Sequence, residues 1–239
     1  MPNHTAFKTS FTQLKRQRSY AWQDQWNAIM HYGELALFRG VKRSLDIVGA
    51  LCLLLCLSPF WMVIALCIYA TDRGPVFFCQ TRIGRYGNPF RLWKFRSMYT
   101  DAEARRQALI EEARKNGEMQ DLRFKMKNDP RITPIGKIIR RLSLDELPQL
   151  INILKGEMSL VGPRPPIPEE VQAYGFNEHK RLWVKPGLTC IWQVSGRSHI
   201  PFPEQVELDK QYIAHQSLSL DLQLLYRTVG AVVTGRGAY

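Results

Sequence analysis

The sequence predicts an α+β fold, mainly helical, organised as a membrane helix, a small β-hairpin and amphipathic interfacial helices. Three observations carry this expectation. Residues 47–70 contain no charged side chain, and about 20 apolar residues suffice to cross a bilayer. Residues 76–95 hold two alternating runs parted by Gly84, Gly87 and Asn88, the pattern of a hairpin. Residues 203–233 carry two helical patterns, the second strongly apolar on one side.

The bulk numbers narrow the partners. With 239 residues, 45% of them hydrophobic, the chain has material for one large domain or one domain with appendages. A formal charge of +12 and a pI of about 9.7 call for an anionic partner: nucleic acid, an anionic membrane surface or phosphorylated substrates. The cysteines at 52, 56, 67, 79 and 190 form no C-x-x-C pair, which argues against a disulfide framework or a zinc site. They read as small apolar side chains in a reducing compartment.

Residues 1–40 begin polar and basic. From Ser19 a helical pattern puts Trp22, Trp26, Ile29 and Met30 on one face. That face suits a membrane interface or packing on the body equally well. The uncharged run follows, with Ser58-Pro59 at its middle, where proline removes a helix hydrogen bond. Both flanks are basic: Lys42 and Arg43 precede it, and six Arg or Lys with no acid lie between Arg73 and Met98. Positive flanks mark the cytoplasmic side. Two of them suit a re-entrant hairpin that kinks at Ser58 and Pro59, with Ser58 satisfying backbone groups freed by the proline. A straight span with an internal proline fits the same residues.

Val76–Gln80 and Pro89–Phe95 alternate as strands of a hairpin whose basic residues are Arg82, Arg91, Lys94 and Arg96. Thr100 or Asp101 then caps a charged helix ending at Gly117. The cluster N-D-P-R-I-T-P-I-G (128–136) is a turn ahead of a short helix.

Arg140–Pro165 holds the chemistry. Asp145 and Glu146 stand side by side where a helix is expected to begin, with Arg140 and Arg141 before them and Arg164 between two prolines after them. Neighbouring helical positions point about 100° apart, so the carboxylates cannot serve one role symmetrically. One can hold a metal while the other faces a substrate. The plainer reading is a capping box, Ser143-x-x-Glu146, although Pro148 then falls awkwardly deep in the helix. Downstream, K-P-G-L-T-C-I-W-Q-V-S-G-R (185–197) is a glycine-containing loop with an arginine, which suits a phosphate or a base.

Taken together, the chain resembles the bacterial sugar transferase family, the monotopic polyprenyl-phosphate phosphoglycosyl transferases. The resemblance rests on the apolar run with Ser58-Pro59, K-F-R-S-M (94–98), D-P-R-I-T (129–133), L-S-L-D-E-L-P-Q-L (142–150), G-E-M-S-L-V-G-P-R-P (156–165), K-P-G-L-T (185–189), Q-V-S-G-R (193–197) and T-G-R-G-A-Y (234–239). Each motif is short; their order and spacing are specific. Cys190 departs from the glycine usual there, and Gln216 from a tryptophan.

The resemblance implies an N-terminal extension (1–40), a re-entrant membrane helix (41–72) and a cytoplasmic catalytic domain (73–239) on the inner membrane of a bacterium. It implies transfer of a sugar-1-phosphate from a UDP-sugar to undecaprenyl phosphate with release of UMP, opening exopolysaccharide or O-antigen assembly. Asp145 would be the nucleophile, and Glu146 with Asp145 would hold Mg²⁺. Lys94, Arg96, Arg140, Arg164, Gln193 and Arg197 are the candidate phosphate and substrate contacts. Homo-oligomers are compatible with this picture; nucleic acid is not an expected partner. Two rival readings of the same residues are a membrane-bound nucleotide-sugar hydrolase and a basic, non-enzymatic membrane-tethered binding protein.

Overall fold

Pro59 removes the amide that would bond the carbonyl of Leu55, and the Ser58 hydroxyl donates to that same carbonyl at 2.8 Å. The helix therefore persists. In the computed structural model, which describes residues 4–107 and 129–235, with backbone alone for residues 4–35 and Ser198, α1 runs His4–Asp72 with Pro59 inside it. The reversal expected at Ser58-Pro59 is not seen as a break: the backbone stays helical, because the serine replaces the lost donor. Among the described residues, α1 is the one helix long and apolar enough to cross a membrane. Its Leu55, Phe60, Met62, Val63 and Leu66 are exposed. Such a band is costly in water and suits lipid.

The chain divides into two units, Met1–Ser44 and Leu45–Tyr239. Within the second, the apolar half of α1 packs on the protein body. Ala50 joins a core with Leu92, Leu150, Leu160, Tyr212 and Leu224, while Ile64 and Ile68 pack with Phe95 and Ile139. Trp61 touches both clusters and meets Phe95 edge-on at 5.2 Å. A carboxylate ties down each end of this half, Asp46 buried and Asp72 partly so. Asp46 accepts from Ser159 Oγ at 3.0 Å and from the Leu160 amide at 2.9 Å. Asp72 accepts from the Arg96 guanidinium and from the Thr100 amide at 3.2 Å.

The hairpin forms as the alternation predicts. Strands β1 (Phe77–Ile83) and β2 (Pro89–Phe95) pair antiparallel, with Phe78 opposite Lys94 and Arg82 opposite Phe90. Their turn carries Tyr86 at φ 59° and Gly87 at φ 80°. Residues 102–107 are helical; the rest of the charged helix expected up to Gly117 lies outside the described residues. Helix α2 (Pro134–Arg141) starts on Thr133, whose side chain accepts from the Gly136 amide.

Beyond the central stretch, β3 (Ser159–Val161) and β4 (Gly187–Thr189) pair in parallel. A side chain on Gly187 would run into the Gly162 backbone, so this pairing requires glycine. Short helices α4 (Pro168–Gln172) and α5 (Phe176–His179) lead to the buried Arg181, whose Nε donates to Asp209 at 2.8 Å. The two tail patterns appear as α7 (Phe202–Ala214) and α8 (Leu218–Thr234), preceded by α6 (Ile191–Ser195). Leu224 of α8 is buried, while Leu222, Tyr226, Val229 and Val233 form an exposed apolar stripe. Their 4-3-4 spacing keeps them on one side of the helix.

Candidate active site

Ser143 adopts φ 54° and makes no capping bond, so the capping box does not form. Instead Leu144–Glu146 makes one tight 3₁₀ turn, and α3 (Gln149–Lys155) starts only after Pro148. Proline before the first helical position has no amide to waste. The left-handed serine and the tight turn leave Glu146 untied as a cap and set the two carboxylates facing the hairpin.

Lys94 reaches across from β2. Its ammonium donates to Glu146 Oε1 at 2.7 Å and lies 3.8 Å from Asp145 Oδ2. Asn152 holds the two pieces in register: its amide donates to the Arg91 carbonyl at 2.7 Å, and its oxygen accepts from the Trp93 amide at 3.1 Å. Fully buried, Asn152 stitches α3 to the strand that carries Lys94. Gly156, at φ 85°, closes α3 by donating to the Asn152 and Ile153 carbonyls.

The adjacent carboxyls are held at different proton affinities. Burial pushes Asp145 up to about 6; Lys94 and Arg140 pull it back, and the Glu146 charge adds to the rise. Burial works on Glu146 in the same direction, but Lys94, Arg164 and Arg82 outweigh it and hold Glu146 below the ordinary range. One site thus holds a firmly ionised carboxylate beside one poised near neutrality, the separation expected of acid and base partners with distinct tasks.

Glu146 forms part of a pocket with Lys94, Arg82, Arg164, Gln149 and Gln193, floored by Leu92, Pro165, Gly187 and Leu188. Three cations against one acid leave it short of negative charge. Arg82 shows the crowding: burial, and then Arg164, bring its guanidinium down to about 10. It is anchored by donating to the Pro165 carbonyl at 3.1 Å and to Gln80 at 2.8 Å. A bound phosphate would relieve that repulsion.

Of the residues singled out in the sequence, Lys94, Glu146, Arg164 and Gln193 line the pocket. Asp145 sits beside it, buried next to Lys94. Arg140 lies in the last turn of α2, and its charge acts on Asp145. Arg96 is engaged by Asp72 and does not line the pocket. Arg197 donates from Nε to the Gln193 carbonyl at 3.3 Å, holding that residue's backbone. Sequence reasoning missed Arg82, Gln149 and Asn152 as parts of this arrangement. Arg82 needed the hairpin register, which pairs it with Phe90 and so puts it on the Lys94 face. Gln149 was findable from its i+3 spacing to Glu146. Asn152 carried no signal, since its role depends on a contact across 61 residues.

Two adjacent carboxylates suit Mg²⁺ shared with a substrate, because Mg²⁺ is usually bound by one or two carboxylates with phosphate oxygens and water. Among the described residues no group of three or more acidic, His or Cys side chains forms a complete protein cage.

A mainly helical domain on an apolar helix thus carries an acid pair beside a cationic pocket. The bacterial sugar transferase profile matches residues 37–235, and the chain belongs to that family. It is 40% identical over 201 residues to the exopolysaccharide production protein ExoY of Rhizobium meliloti, covering 83% of this chain and 88% of that protein. It is 46% identical over 200 residues to the galactosyl transferase CpsE of Streptococcus agalactiae, covering 82% of this chain and 43% of CpsE. Against the undecaprenyl-phosphate galactose phosphotransferase of Salmonella typhimurium, identity is 41% over 202 residues, covering 84% of this chain and 42% of that protein. The chain thus spans nearly all of ExoY and less than half of the other two.

Proposed function

We propose that the protein moves a sugar-1-phosphate from a UDP-sugar to undecaprenyl phosphate at the cytoplasmic face of a bacterial inner membrane. The observation that carries this reading is Lys94 bridging Asp145 and Glu146 beside a pocket with Arg82 and Arg164. The names of the relatives, a galactosyl transferase and an undecaprenyl-phosphate galactose phosphotransferase, point the same way.

Donor and acceptor are both anions, so a direct encounter is repulsive. Two steps handle them in turn. An Asp145 oxygen attacks the donor phosphorus next to the sugar; the bond from that phosphorus to the UMP oxygen breaks, and UMP leaves with the electron pair. The sugar phosphate is then esterified to Asp145. An oxygen of the acceptor phosphate attacks the same phosphorus and displaces the Asp145 carboxylate, giving a lipid diphosphosugar. Lys94 orients both carboxylates and offsets the charge that would oppose attack. Arg82 and Arg164 bind the diphosphate, and Gln149 and Gln193 offer hydrogen bonds at the pocket wall. Arg140 favours the ionised form of Asp145. Glu146, with Asp145, would hold Mg²⁺, which when bound would neutralise charge on the diphosphate and the departing UMP. With a UDP-sugar alone, about one equivalent of UMP should appear per enzyme, and adding polyprenyl phosphate should make release continuous. Continuous UMP release without acceptor would indicate a hydrolase.

The basic residues on both sides of the apolar run, Lys42 and Arg43 before it and Arg73 and Arg82 after it, support a re-entrant topology, because positive flanks mark the cytoplasmic side. Asp46 and Asp72 tie the helix to one packed body, and the exposed stripe of α8 would lie in the same interface. Tags at residues 40 and 75 should both be reached only from the cytoplasm. Labelling of one tag from each side would establish a full span.

A further inference from the structure

Phe78 is a half-exposed aromatic, 49% accessible, placed directly opposite Lys94 across the hairpin. Residues opposite each other in an antiparallel pair project to the same face, with Cβ atoms about 4.5–5.5 Å apart. That face also carries Leu92 and Arg82, which line the pocket together with Lys94. Phe78 is not among the residues that line the charged pocket; it stands on the same face of the hairpin, paired with Lys94. It does so at the end nearest the membrane segment, because β1 begins at Phe77, five residues beyond the end of α1 at Asp72. Its neighbour Phe77 points to the other face and is used in packing, stacked on Phe95 at 5.4 Å and edge-on to Trp93 at 6.2 Å.

We propose that Phe78 is the specificity-determining contact for the lipid half of the acceptor, receiving its first isoprene units while the attached phosphate reaches Lys94. This rests on the reading of the site given above. An acceptor phosphate bound at the pocket must be followed by its hydrocarbon chain, which has to leave the cationic surface for the bilayer. The chain's first units lie within a few ångströms of the phosphate, and the hairpin register puts Phe78 at the position paired with Lys94 on the same face. An exposed aromatic there shields those units from water.

The test compares a long polyprenyl phosphate with geranyl phosphate, which has two isoprene units, both presented in detergent, and reads kcat/KM for UMP release. If the contact spans only the first units, both acceptors need Phe78, whereas a water-soluble alkyl phosphate such as ethyl phosphate does not. Phe78→Ala should lower kcat/KM for both isoprenyl acceptors about tenfold relative to ethyl phosphate, the scale of one lost apolar contact, mainly through KM. Phe78→Leu should restore most of the loss. UMP exchange into the UDP-sugar, which needs no acceptor, is measured on the same preparations to confirm an intact donor site. Equal loss with all three acceptors, or no loss with any, would overturn the proposal. Failure of wild-type enzyme to use any phosphate acceptor would overturn both the proposal and the reading beneath it, and is seen before any variant is made.

Discussion

Asp145→Asn should abolish turnover, by at least about 10,000-fold in kcat, while making the protein more stable at pH 7. The loss follows from removing the attacking oxygen: an amide cannot form the phosphosugar ester, and nucleophile removal has effects of this order in other covalent enzymes. The gain follows from the raised proton affinity. Burial leads the causes that lift Asp145 to about 6, so the folded protein holds that proton more tightly than the unfolded chain does. The ionised carboxylate therefore opposes folding. This penalty is absent below the unfolded value near 4, grows as pH rises, and is complete above about 6. A shift of two units corresponds to about 3 kcal/mol, the Lys94 attraction being already contained in it. Chemical denaturation at pH 7 and at pH 4 measures it: the variant's advantage should be present at pH 7 and shrink at pH 4. An inactive variant that is also less stable at pH 7 would mean that Asp145 is a structural acid.

Lys94→Met should lower kcat/KM by about 100- to 1,000-fold, the usual effect of deleting one preorganised charge at a reacting centre. It should also displace the pH profile. In the wild type, UMP release should rise through an acid limb near pH 6 as Asp145 ionises. Lys94 is the largest influence pulling Asp145 down, and it also pulls on Glu146. Its removal should move the acid limb upward, so the variant is most impaired at pH 6 and partly recovers at pH 8. A loss equal at every pH would confine Lys94 to binding the substrate.

The elements that sequence patterns describe locally were legible. The hairpin alternation and the apolar side of α8 are decided by neighbouring residues, and both form; the short helix expected after the turn cluster 128–136 starts inside it, at Pro134, capped by Thr133. The charge-free run announced an apolar helix. The proline within it did not announce its outcome, because continuity depends on one hydroxyl: Ser58 donates to the carbonyl that Pro59 leaves unpaired. The carboxylate pair stood out through its composition, but its setting did not. Ser143 looked like a cap and instead takes a left-handed turn. Arg96, which the resemblance offers as a substrate contact, lies just beyond β2 and is engaged by Asp72, 24 residues away. Asn152, which no sequence pattern singles out, is the pin between helix and strand. Each of these outcomes depends on a partner distant in sequence, where periodicity carries no information.

The central claim is that Asp145 becomes esterified by the sugar phosphate. Enzyme mixed with a UDP-sugar in the absence of lipid acceptor, quenched in acid and digested, should yield the peptide containing Asp145 heavier by one sugar phosphate, in amounts matching the UMP released. The adduct should vanish on adding polyprenyl phosphate and be absent from Asp145→Asn. UMP released in equal amount with that peptide unmodified would contradict the account.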